Sequence, residues 1–198
     1  MSDSFIGGIN KAKLSSNPWK SSHASSFKKY IKNLVSERQG NYCCYCKRDF
    51  NKETERVKHI EHILPKSKFP AYTFDVTNLA LSCVRCNSDR KSDDISFLAI
   101  NMDFYKKQWS KKVYNSELYR FIHPNLENID YHLDVKVFTF DNRVYYKYKC
   151  LTEKAIYHYD YFDLKFFEFE SISKNQGISD KYKYGTSREL IDRLFKRY

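Results

Sequence analysis

His59-Ile60-Glu61-His62-Ile63-Leu64-Pro65-Lys66-Ser67 lies between two C-x2-C pairs, Cys43–Cys46 and Cys83–Cys86. A C-x2-C turn lets two sulfurs converge on one ion, and two such turns complete the four-thiolate shell that tetrahedral zinc favours. A shell closed in this way leaves no open position, so the zinc it predicts is structural and does not activate water. A redox C-x-x-C or unligated buried thiols are the alternatives, and redox chemistry rarely needs two pairs. The 36 residues between the pairs exceed the gap of a compact ribbon and leave room for a functional loop. Cys44 competes with Cys43 at a poorer spacing to Cys46, and Cys150 reads as an ordinary buried thiol.

On a strand, alternation puts His59 and Glu61 on one face and Ile60 and His62 on the other. Glu61 and His62, adjacent at a strand end before Pro65, can diverge around one phosphate. The carboxylate then faces a hard cation and the imidazole an attacking water. Asn87 follows Cys86 near a helix start and can offer its amide oxygen to the same cation. His59 reads as a residue that orients Glu61, with an extra metal ligand as the alternative.

The order Cys-x-x-Cys, Ile-Glu-His-Ile-Leu-Pro-Lys-Ser, Asn-Leu-Ala-Leu-Ser-Cys, Val-Arg-Cys-Asn resembles the zinc-stapled HNH endonucleases across residues 41–93. The resemblance implies an α+β chain around a ββα-metal (His-Me finger) core. Carried over by position, His62 corresponds to the general base and Asn78 to the middle Asn that holds the loop positioning it. Asn87 stands where the last His or Asn ligates the catalytic metal, and Glu61 where the family often has Asp. Two departures follow: Glu61 is one methylene longer than Asp, and Asn87 makes the site formally HNN. A neutral amide oxygen suits Mg²⁺ or Mn²⁺. The implied reaction is metal-assisted hydrolysis of a phosphodiester bond, with DNA as substrate and RNA left open. Lys66, Lys68, Arg85, Arg90 and Lys91 flank the site and are candidates for holding the nucleic-acid backbone, as is Lys58. Lys66-Ser-Lys-Phe-Pro and Phe121-Ile-His-Pro-Asn further resemble the HNH subunit of Septu-type antiphage systems, which implies a defence role and an ATPase partner. A non-catalytic zinc module that binds nucleic acid, or a subunit that only docks an ATPase, is the alternative.

Composition agrees with a polyanionic partner. The 198 residues carry 35 Lys and Arg against 24 Asp and Glu, a net +11. Such an excess favours salt-sensitive association with nucleic acid. With 41% hydrophobic and 17% aromatic residues, the chain is not a disordered tail. No apolar run reaches the ~20 residues that span a bilayer, and the first residues do not read as a secretory signal. A soluble cytoplasmic protein without a membrane partner is the expectation, and its thiols then serve metal rather than disulfides.

Three segments are expected: a basic helical segment (1–40), the nuclease core with its knuckles (41–108) and a C-terminal α+β extension (109–198) assigned to partner binding. Ser25 to Arg38 carries Phe27, Tyr30, Ile31, Leu34 and Val35 on one stripe, so it reads as an amphipathic helix. Ser25 or Ser26 caps its start and Gly40 ends it. Lys28, Lys29 and Lys32 lie off the stripe and read as a solvated face, with phosphate contact as the alternative. Val57–Leu64 is a β-type run, and the stretch after Cys83 can start a helix. Ile95–Trp109 and Ser187–Arg197 read as further helices. Val135–Phe140 and Val144–Tyr148 read as a hairpin. His123, Asp130 and His132 belong to a turn rather than a metal site. The Tyr and Phe cluster at 157–169 is core or a partner-binding surface.

Overall fold

The computed structural model describes residues 3–51, 53–107, 111–140 and 143–169. The chain divides into two compact units, one ending at Ile129 and the other beginning at Asp130.

The first unit opens with helix α1 (Asp3–Lys13) and helix α2 (Ser25–Gln39). α2 buries Phe27, Ile31 and Val35, while Tyr30 stays more than a third exposed and stacks on Phe5 of α1. Gly8 lets α1 approach the turn that leads into α2: a Cβ there would stand 2.8 Å from the His23 carbonyl oxygen. Neither Ser25 nor Ser26 caps α2. A short 3-10 turn, Ser22–Ala24, is capped instead by the Ser21 side chain and runs directly into the helix, whose N-cap is Ala24. Gly40 ends α2 as expected, in the left-handed region at φ 69°, where a side chain is disfavoured.

Strand β1 (Lys58–His62) pairs antiparallel with β2 (Leu79–Cys83), and the helical segment Arg85–Lys91, wound as a π-helix, follows at once. These are the two strands and the helix of a ββα core. The end of α2 is bound to β2 through side chains. Arg38 donates to the Leu79 carbonyl (2.8 Å), and the Gln39 amide exchanges bonds with both backbone groups of Leu81. Backbone groups of β2 that a neighbouring strand would satisfy are met by a helix terminus.

The helix expected over Ile95–Trp109 is confined to α3 (Met102–Lys107), and Trp109 lies outside the described residues. Residues before α3 take another course because Phe97 is fully buried against Phe121. Ala99 donates to Leu118 and Arg120 to Phe97, so the backbone pairs sideways instead of with itself. Tertiary packing there overrides a helical pattern.

The second unit holds the expected hairpin, β3 (Leu133–Phe140) with β4 (Arg143–Cys150). Two strands alone are marginal in water. Helices α4 (Glu153–Tyr161) and α5 (Lys165–Phe169) pack on β4 and bury Phe162, Leu164 and Phe167. Part of the 157–169 aromatic cluster is therefore core. Buried Glu168 ties the layers together, accepting from the Tyr148 N–H and the Tyr159 hydroxyl, each at 2.9 Å. Cys150 is only half-buried, unlike the other five thiols. The helix expected at 187–197 lies outside the described residues.

Candidate active site

The first knuckle sits on a tight turn. Cys43 and Arg48 pair through the backbone, the Lys47 N–H closes on the Cys43 carbonyl, and Lys47 takes φ 58° to do so. The second knuckle spans the end of β2 and the first turn of the helical segment. Together they place the sulfurs of Cys43, Cys46, Cys83 and Cys86 within 4.8 Å of one another, all buried. Zinc–sulfur bonds of about 2.3 Å in a tetrahedron put sulfurs about 3.8 Å apart, and Cys46 and Cys83 stand at 3.8 Å. The set therefore fits a zinc ion. Burial works to raise the Cys43 thiol, but hydrogen bonds from the neighbouring sulfurs outweigh it and hold it well below the usual range. Cys46, by burial, and Cys86, by its sulfur neighbours, are driven well above. Four sulfurs gathered in this way form a donor set from which zinc displaces protons on binding. Cys44 is outside the cluster, and among the described residues this is the one grouping of metal-ligating side chains.

His62 ends β1 and is 5% exposed. Its Nε2 lies 3.1 Å from the Thr73 carbonyl oxygen. A carbonyl only accepts, so Nε2 carries the proton and Nδ1 keeps its lone pair. The Trp19 ring meets the imidazole edge-on with centroids 4.4 Å apart. Burial, with the nearby Lys66 charge, pulls the His62 pKa down to about 3. The ring is thus neutral at pH 7, with the Nδ1 lone pair free of a proton.

Asn78 lies just before β2 and is completely buried. Its Oδ1 accepts the Leu64 N–H at 2.7 Å, and its Nδ2 donates to the carbonyls of Leu64 and Tyr72, each at 3.1 Å. The side chain staples both ends of the loop 64–72, and Thr73, the next residue, presents its carbonyl to His62.

Glu61 is 1% exposed and lies opposite Ala80 on β2. Its Oε1 is 2.8 Å from the Lys91 ammonium and accepts the Tyr45 hydroxyl at 3.2 Å. Both contacts fall on one oxygen, so Oε2 has no protein partner among the described residues. Burial pushes the Glu61 carboxyl up, against the opposing pull of Lys91 and Tyr45. Lys91, by its sequence position a candidate for the nucleic-acid surface, is fully buried instead, donates to the His62 carbonyl at 2.9 Å and faces Phe97. An ammonium sealed in this way reaches no backbone phosphate.

Glu61, His62 and Asn87 line one cleft of about 370 Å³, together with Lys66, Ser67, Ser92 and Asp93. Lys66 and Arg90 are exposed, and Lys68 and Arg85 half-buried. Sequence reasoning missed the Thr73 carbonyl, the Trp19 cover and the Lys91–Glu61 pair. Only the last left a trace in the sequence, since Lys91 stands about one helical turn from Asn87.

Residues 43–93, which contain this whole cleft and the sulfur cluster, match the family model of the HNH endonucleases. They are an HNH domain. The chain is similar to the Septu protein PtuB of Bacillus thuringiensis, with 36% identity over 67 residues, 34% of this chain and 26% of that protein. It is also similar to an HNH protein of retron Vc95 from Vibrio cholerae serotype O1 biovar El Tor, with 27% identity over 77 residues, 36% of this chain. The chain spans 26% and 38% of the lengths of these two curated relatives. No helix among the described residues is long and apolar enough to cross a membrane.

Proposed function

We propose that this chain is a metal-dependent endonuclease that hydrolyses phosphodiester bonds of DNA in antiphage defence, acting beside an ATPase. The observation that carries the chemistry is the His62–Thr73 hydrogen bond, which leaves Nδ1 bare in a cleft that Glu61 and Asn87 also line. His62 is the general base: its Nδ1 takes a proton from the water that attacks phosphorus in line. Asn78 is a positioning residue that acts through the Thr73 carbonyl, and Lys91 holds the Glu61 carboxylate in place. The cleft offers oxygen donors that suit a hard dication keeping several waters. Glu61 and Asn87 would hold Mg²⁺ or Mn²⁺, which would neutralise charge on the phosphate and on the leaving 3′-oxygen. Lys66, exposed at the same cleft, contacts the phosphate backbone. The products are a 5′-phosphate and a 3′-hydroxyl.

The defence role rests on the similarity to the Septu and retron proteins, and the ATPase partner on the resemblance of Lys66-Ser-Lys-Phe-Pro and Phe121-Ile-His-Pro-Asn to the HNH subunit of Septu-type systems. The second unit adds Tyr131, Val137, Val144, Leu151 and Ile156, large apolar side chains between 44% and 76% exposed, a surface suited to a protein partner. The test is plasmid cleavage with Mg²⁺, with and without a candidate ATPase partner, wild type against His62→Ala. Elemental analysis of both proteins should give one zinc per chain. Wild-type cutting that His62→Ala lacks is expected; equal cutting by the two refutes the assignment of the base.

A further inference from the structure

A second, larger groove of about 570 Å³ lies between α2 and β1, lined by Lys28, Lys29, Lys32, Arg56, Lys58 and His59 with Trp19, Glu55, Ile60 and Asn87. Five cations face one carboxylate. That carboxylate, Glu55, is spent on two of them: Lys32 at 2.7 Å and Lys58 at 3.7 Å. Lys28 donates to the Trp19 carbonyl at 3.1 Å and lies over its ring. Lys29 and Arg56 are exposed and have no partner among the described residues. Holding unpaired like charges along one groove raises the energy of the free protein, and an anion relieves it.

The groove is continuous with the catalytic cleft. Ile60 and Asn87 line both, and Trp19, on the wall of the groove, packs its ring against the proposed base His62. A strand whose scissile phosphate sits beside His62 therefore runs on into a row of cations.

We propose that this groove binds the phosphodiester backbone of the nucleic-acid strand on one side of the scissile phosphate, with Lys29 and Arg56 as phosphate contacts. The proposal rests on the nuclease reading and adds a substrate-binding track shared between α2, which lies outside the HNH domain, and Arg56 and Lys58 within it. Backbone contacts of this kind set affinity and register without reading sequence.

The test is direct binding, with cleavage silenced by His62→Ala. Fluorescein-labelled 20-base-pair duplexes, one of DNA and one of RNA, are titrated by anisotropy across a salt series. The parent is compared with the same protein carrying Lys29→Ala and Arg56→Ala. Two lost phosphate contacts should lower the slope of log K against log salt by about 1.8 on DNA. Affinity should fall several-fold, with melting temperature and zinc content unchanged. The duplex that shows the slope change identifies the nucleic acid. Unchanged slope and affinity overturn the proposal and leave the groove to an acidic protein; so does a parent that binds neither duplex. Plasmid cleavage by the wild type is scored separately, so the nuclease reading stands or falls independently of the groove.

Discussion

Replacing Asn78 by alanine removes three hydrogen bonds and leaves their partners buried. The Leu64 N–H and the carbonyls of Leu64 and Tyr72 lose bonds of 2.7, 3.1 and 3.1 Å at a side chain with no solvent exposure. At about 1 kcal/mol net per bond the loss is about 3 kcal/mol, rising towards 5 if the stranded N–H bears its full desolvation cost. For a unit of this size that lowers the melting temperature by about 10 °C, at about 3 °C per kcal/mol. The consequence reaches the chemistry along a short path. Freed at both staples, the loop no longer fixes the Thr73 carbonyl, and His62 loses the acceptor that selects its Nε2–H tautomer. Cleavage per folded molecule should therefore drop below the temperature at which the variant melts. Asn78→Asp should not rescue it: a carboxylate accepts from the Leu64 N–H but meets two carbonyl oxygens where the amide donated. Calorimetry in zinc-replete buffer and a plasmid assay at 20 °C read the two effects. A variant that melts within a degree of wild type and cuts at the same rate would refute the staple.

The base should show no ordinary histidine limb. With His62 at about 3 when folded against ~6.5 unfolded, cleavage should not lose its base between pH 7 and 5; an acid limb centred near 6.5 would contradict the burial argument. The same shift carries a stability sign. Between those values the unfolded chain binds the extra proton, so this contribution is intact above pH 6.5 and falls by about 1.4 kcal/mol per pH unit below it. Wild type should thus lose stability on acidification more steeply than His62→Gln, and parallel denaturant midpoints would argue against it. Lys91→Met should strand the buried Glu61 carboxylate and cost about 3–5 kcal/mol, most of it recovered when Glu61→Leu is added. Denaturant unfolding of the single and double variants decides, and a single variant as stable as wild type would mean the pair is not closed in solution.

Some of this architecture is written in short spacings. The two C-x2-C turns, the β-type run that carries Glu61 and His62, and the β3–β4 hairpin each depend on residues a few positions apart. The physics there is local: a turn aims two sulfurs, and a pleat alternates side chains. Lys91 shows the opposite case. By composition it is a surface cation, yet it sits in the core because the helical segment packs back on β1 and puts its ammonium against a carboxylate and a carbonyl about thirty residues earlier in the chain. Trp19 covering His62, the lysines of α2 facing β1, and the stretch before α3 that pairs sideways are of the same kind. Each is settled by which surfaces meet when the chain closes on itself. A buried charge takes the partner that packing brings within reach, and its own neighbours in sequence do not name that partner.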